Sequence, residues 1–129
     1  MHGKFLLFLV CATLLTQPVS AQTVLEFDIW MQVIDRKSQS ILRNISARDA
    51  EASAADAREL GRLYRLMEGY YEKLGDAEDA VISSYEGRER AAQAVGAIER
   101  EDYAAAWDSA LWIARDCQNC HLKYKPIKR

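Results

Sequence analysis

Residues 102–124, DYAAAWDSALWIARDCQNCHLKY, decide the fold. Tyr103, Trp107, Ala110, Leu111, Ala114, Cys117, His121 and Tyr124 recur at intervals of mostly three or four, the period of one face of an α-helix. Pro126 cannot continue that helix and is expected to end it. The same period appears three times upstream. A first segment, Val24 to Ile45, carries Phe27, Trp30, Met31, Ile34, Ile41 and Ile45 on one stripe. The second begins near Ser53, where Ser53-Ala54-Ala55-Asp56 resembles a capping box with Asp in place of Glu. Its stripe runs through Leu60, Leu63, Tyr64, Met67, Tyr70, Tyr71 and Leu74, and Gly75 follows as the expected C-terminal cap. The third, Ala77 to Ile98, is alanine-rich and interrupted by Gly87, with Val81, Ile82, Tyr85, Ala92 and Val95 expected inward. No proline falls between Pro18 and Pro126. Four amphipathic helices with short connections predict an all-α protein, an antiparallel up-and-down four-helix bundle.

The last segment also carries the chemistry. Cys117 and Cys120 are three apart on one helix face, and His121 lies four residues after Cys117 on that face. Two thiols at this spacing followed at once by histidine match the attachment pattern of haem c. The thiols can add to the two vinyl groups of one haem, and the imidazole can reach its iron. A disulfide between Cys117 and Cys120 would close a tiny loop and constrain little of the unfolded chain. A dithiol redox motif works best at a helix N-terminus, where the dipole lowers a thiol pKa, whereas this pair stands at a C-terminal end. A zinc site would be short of strong ligands, since the other histidine is His2.

Residues 1–21 read as an export signal. Lys4 supplies a positive start, Phe5 to Leu15 an apolar run too short to span a bilayer, and Val19-Ser20-Ala21 a small-residue cleavage site before Gln22. The expectation is a periplasmic protein cleaved after Ala21, with one domain over 22–129 and no membrane span after cleavage. Cys11 and His2 leave with the signal, so only Cys117, Cys120 and His121 remain of their kinds. Losing Lys4 leaves 16 Lys and Arg against 19 Asp and Glu, a formal charge of −3. That balance excludes a nucleic-acid partner, which would call for a basic surplus. The exception is the tail, where Lys123, Lys125, Lys128 and Arg129 cluster beside the motif. It reads either as a solvated helix end complementing the dipole or as a patch that steers an acidic redox partner. No second histidine, serine-based constellation or Gly-rich phosphate loop suggests an enzyme. The acidic pairs Glu78-Asp79 and Glu101-Asp102 stand at helix starts, where capping accounts for them.

An export signal, four helices and a closing Cys117, Cys120, His121, Tyr124, Lys125 signature resemble the cytochrome c-prime family (class II c-type cytochromes). The lead-in from Ala97 to Ala114, with its acidic turn at Glu101-Asp102 before an alanine-rich helix, is similar too. Lys125 stands where many members have arginine. The resemblance implies one covalent haem c, His121 as proximal iron ligand, and a distal face shaped by the first helix. Met31-Gln32-Val33-Ile34 looks like the family's distal run, which puts Met31 at the distal position. Low-spin members ligate the iron there through methionine and carry electrons between redox partner proteins. High-spin members leave that face open and bind the diatomic gases NO and CO. Members often form a homodimer through their first two helices.

Met31 and Met67 are the only thioethers besides Met1. Met/His ligation raises a haem potential and suits electron transfer, although methionine on an apolar stripe is often core filling. Met67 reads as core. Three readings therefore stand: an electron carrier with His121 and Met31 on the iron, a gas-binding protein with His121 alone, and a haem-free dithiol.

Overall fold

Four helices turn back on one another through three short connections in a computed structural model that describes residues 21–124, with side chains from Val24 to Lys123. Apart from Ala21, the expected export segment lies outside the described residues, as do Lys125, Pro126, Lys128, Arg129 and the side chain of Tyr124. The helices are α1 (Ala21–Ser46), α2 (Ala50–Leu74), α3 (Glu78–Glu99) and α4 (Tyr103–Tyr124). Connections this short force antiparallel neighbours. α1 packs on α2 and α4, and α3 on α2 and α4, which closes a square. This is the four-helix bundle expected from the apolar period, and no strand occurs among the described residues. The start of α1, the α2–α3 connection and the end of α4 share one end of the bundle.

The helix ends follow capping chemistry, with one correction. α2 starts at Asp49, not near Ser53: the Asp49 side chain accepts the Ala52 N–H at 3.0 Å from an extended backbone conformation. Ser53 instead lies inside α2 and is fully buried. At the other end Gly75 adopts φ 85°, and its N–H closes on the Tyr71 carbonyl, as its place in the sequence suggested. Asp102 caps α4 by accepting the Ala105 N–H at 3.1 Å.

The core is built from Ile34, Ile41 and Ile45 of α1, Leu60, Leu63, Tyr64, Met67 and Tyr71 of α2, and Ala106, Ala110 and Ile113 of α4. Each large aliphatic side chain so buried contributes about 1.5–3 kcal/mol. Part of the expected stripes shifts: α4 buries Ala106, Ser109, Ala110 and Ile113 while Trp107, Leu111 and Ala114 are half-buried, and Leu74 at the end of α2 is exposed. α3 departs further. Its inward residues are Ala80, Ser84, Gly87, Ala91, Ala94, Ala97 and Ile98, whereas Ile82 and Tyr85 are about half exposed and Ala92 is exposed. The larger side chains were a misleading guide because α3 meets α2 through its small residues. Gly87 shows why: a Cβ there would fall 2.4 Å from Cε1 of the Tyr64 ring. The tyrosine fills the space that the glycine leaves.

A polar clasp joins α1 to α2 at the opposite end. The Asp56 carboxylate, 5 % exposed, accepts from Lys37 Nζ at 2.6 Å and from Asn44 Nδ2 at 2.9 Å. Both oxygens are thus satisfied, which a buried carboxylate requires.

Candidate functional site

Cys117, Cys120 and His121 occupy the last turns of α4, and all three are half-buried. Both cysteines are free thiols. The two point to different neighbours. Cys117 packs against the hydrophobic core, with its sulfur 4.0 Å from the Tyr64 hydroxyl of α2. On α1 it lies near Ser38 and Asp35. Cys120 faces α3, where the Ser83 hydroxyl is 3.7 Å from its sulfur. Ser83 in turn donates to the Asp116 carboxylate at 2.5 Å, and Lys123 pairs with Asp79 one turn away. The final turns of α4 are therefore tied to α2 and α3 by side chains flanking the motif.

Burial raises both thiols above their ordinary pKa. Burial pushes the Cys117 thiol above its ordinary value; the Tyr64 hydroxyl opposes this, and Asp116 and Asp35 reinforce it. Burial likewise raises Cys120, against the Ser83 hydroxyl and together with Asp116 and Asp79. The Tyr64 phenol is held well above its usual range, chiefly by burial and then by the neighbouring Cys117.

Helix register relates Met31 to this group. Cys117 lies level with Asp35 and Ser38 of the antiparallel α1. One turn further along α4, at His121, the corresponding stretch of α1 is one turn earlier, residues 31–34. Met31 there is half-buried against the core, and Ile34 is buried. Met67, one turn beyond Tyr64 on α2, is 4 % exposed and belongs to the core. The expected site residues thus share one end of the bundle. Val24, Leu25 and Ile29 of α1, Leu74 of α2, Ile82 of α3 and Leu122 of α4 leave apolar surface exposed at that same end.

This donor set fits a c-type haem. Two unpaired thiols three residues apart, one imidazole beside them and a thioether on the facing helix are the ligands such a group takes. Partial exposure of all three α4 residues leaves them reachable for attachment. Among the described residues no group of three or more His, Cys, Asp and Glu side chains could hold a bare metal ion. A groove of about 430 Å³ between α2 and α3, rimmed by Arg58, Arg62, Arg65 and Arg88, is not lined by the motif.

Tyr64, Ser83, Asp116 and Ser38 were missed as site residues. Tyr64 was assigned to the core stripe, and no local pattern marks Ser83 as facing Cys120. Only the α3–α4 register reveals it. Among the described residues no helix is long and apolar enough to cross a membrane. Compared with family models, curated proteins and solved structures, the chain matches none.

Proposed function

We propose that this chain is a mono-haem c-type protein, with haem c bound through thioethers from Cys117 and Cys120 and His121 as an iron ligand. Within that class the best-supported reading is a periplasmic electron carrier of the cytochrome c-prime kind, of the low-spin, methionine-ligated branch, exchanging electrons with redox partner proteins and performing no catalysis of its own. One observation carries it: two free, half-buried thiols and the histidine stand together on α4, next to the core and opposite the Met31 turn of α1. When bound, the haem supplies a one-electron iron couple.

The chain's own residues supply attachment, orientation and shielding. Each cysteine contributes its sulfur to one bond, so the group would be fixed to α4 at two points. His121 contributes an imidazole nitrogen, and Met31 a thioether sulfur, which favours a raised potential. The core around Cys117 excludes water from one side, while the half-exposed face at His121 leaves a route to partners. The alternative is a five-coordinate protein that binds NO or CO. Its supporting observation is the packing of Met31 and Ile34 into the core, which can keep the α1 face apolar and unligated.

Co-expression with a haem-ligation system and a ferric absorption spectrum test the reading. A low-spin spectrum with a sulfur-to-iron charge-transfer band that disappears in Met31→Ala supports the electron carrier. A high-spin spectrum in the wild type replaces it with the gas-binding reading, and a colourless folded protein overturns both.

A further inference from the structure

The two thiols of the motif have hydroxyl neighbours on different helices: Cys117 has Tyr64 of α2 and Ser38 of α1, and Cys120 has Ser83 of α3. Tyr64 reaches Cys117 from α2 across the space left by Gly87, and Ser83 reaches Cys120 from α3. Neither hydroxyl is loosely placed. The Tyr64 side chain is 3 % exposed and held over Gly87. Ser83 is fixed by its bond to Asp116, a neighbour of Cys117 on α4.

A thiol pair three residues apart on a helix is close enough to oxidise. In forming the bond the two thiols lose two protons and two electrons. Oxidised glutathione, the oxidant used below, takes them up and becomes two molecules of reduced glutathione. The S–S bond requires both sulfurs to turn toward each other, away from the hydroxyls that flank them. We infer that Tyr64 and Ser83 are positioning residues that hold Cys117 and Cys120 toward different helices and so keep the pair a reduced dithiol. This rests on the proposed function for its purpose: two thioethers need two free sulfurs, and an exported chain meets an oxidising compartment. The hydroxyls act only while the sulfurs are free and take no part once the bonds to the cofactor exist.

The test uses the haem-free full-length protein in glutathione buffers of graded ratio. The readout is the oxidation state of the tryptic peptide 116–123, which contains both sulfurs and excludes Cys11. Tyr64→Phe/Ser83→Ala keeps the ring over Gly87 and removes the Tyr64 and Ser83 hydroxyls, leaving Ser38 beside Cys117. It should reach half-oxidation at a ratio about tenfold less oxidising than wild type, a shift of about 30 mV for this two-electron couple. Each single variant should give part of that shift, and circular dichroism should stay that of the wild type. If the double variant loses its helical signal, Ser83→Ala alone decides, since it removes one half-buried hydroxyl. A ratio within about twofold of wild type overturns the inference, because two lost sulfur hydrogen bonds must move the equilibrium further than that. The haem reading fails separately. A shift in a protein that takes up no haem leaves the hydroxyl role standing, whereas haem uptake without a shift removes it.

Discussion

Replacing Gly87 by alanine sets two physical effects against each other. In a helix interior, alanine is favoured over glycine by about 1 kcal/mol. At Gly87 the added Cβ would lie 2.4 Å, 2.6 Å and 2.7 Å from three atoms of the Tyr64 ring. Carbon pairs prefer about 3.5–4.0 Å, so ring or helix must move by about 1 Å. Tyr64 has little room to yield, being 3 % exposed with its hydroxyl against Cys117. Overpacking of this kind costs about 1–3 kcal/mol. The steric cost therefore wins, and Gly87→Ala should destabilise the protein by about 1 kcal/mol. For a bundle of this size that lowers Tm by about 4–8 °C. Gly69→Ala is the internal control, because among the described residues nothing lies within 4 Å of its added Cβ. It should raise stability by up to about 1 kcal/mol on propensity alone. Urea and thermal unfolding followed by circular dichroism read both variants. Gly87→Ala as stable as the wild type, or more so, would refute the placement of Tyr64 over Gly87.

Asp49→Ala should cost about 1 kcal/mol by removing the α2 cap. Ser53→Ala should cost less in the same urea titration, since the buried Ser53 hydroxyl has no hydrogen-bond partner among the described residues. Asp56→Ala strands the Asn44 amide and the Lys37 ammonium; it should cost about 2 kcal/mol, short of a fully buried pair because Lys37 keeps contact with solvent. The haem-free protein should also lose stability in alkali. Cys117, Cys120 and Tyr64 all have folded-state pKa values raised above the unfolded ones. Their contribution is complete below about pH 8.5 and lost as pH rises through the thiol and phenol range. Unfolding at graded pH should show that decline, and Cys117→Ser/Cys120→Ser should remove the thiol part and keep the part due to Tyr64. A pH-independent stability across that range contradicts the burial of these groups.

The bundle itself was legible because its signal is redundant. Three helices carry large apolar residues at helical spacing, and the connections are short and well punctuated, as at Gly75. On α4 the buried face is Ala106, Ser109, Ala110 and Ile113, not the expected Trp107, Leu111 and Ala114, which are half-buried. α3 was the larger exception. Its inward face is alanine, serine and glycine, so a reading that seeks large side chains turns the helix the wrong way and places Ile82 and Tyr85 inside. The start of α2 was misread for a related reason. Ser53 has the chemistry of a cap, but Asp49 has both the chemistry and the place in the chain reversal. Cys117, Cys120 and His121 are proposed from sequence alone because their spacing is local. Tyr64 and Ser83 could not be found that way, since each meets its thiol across 53 and 37 residues of chain. The level of Met31 opposite His121 likewise depends on how α1 and α4 slide past each other, which no local pattern encodes.

Haem attachment is tested most directly by the mass of the peptide 116–123 after co-expression with a haem-ligation system. This peptide should carry one haem on Cys117 and Cys120, the intact protein should be coloured, and Cys117→Ser/Cys120→Ser should lose both properties while remaining helical. A folded, colourless wild type whose peptide carries two unmodified thiols would contradict haem attachment.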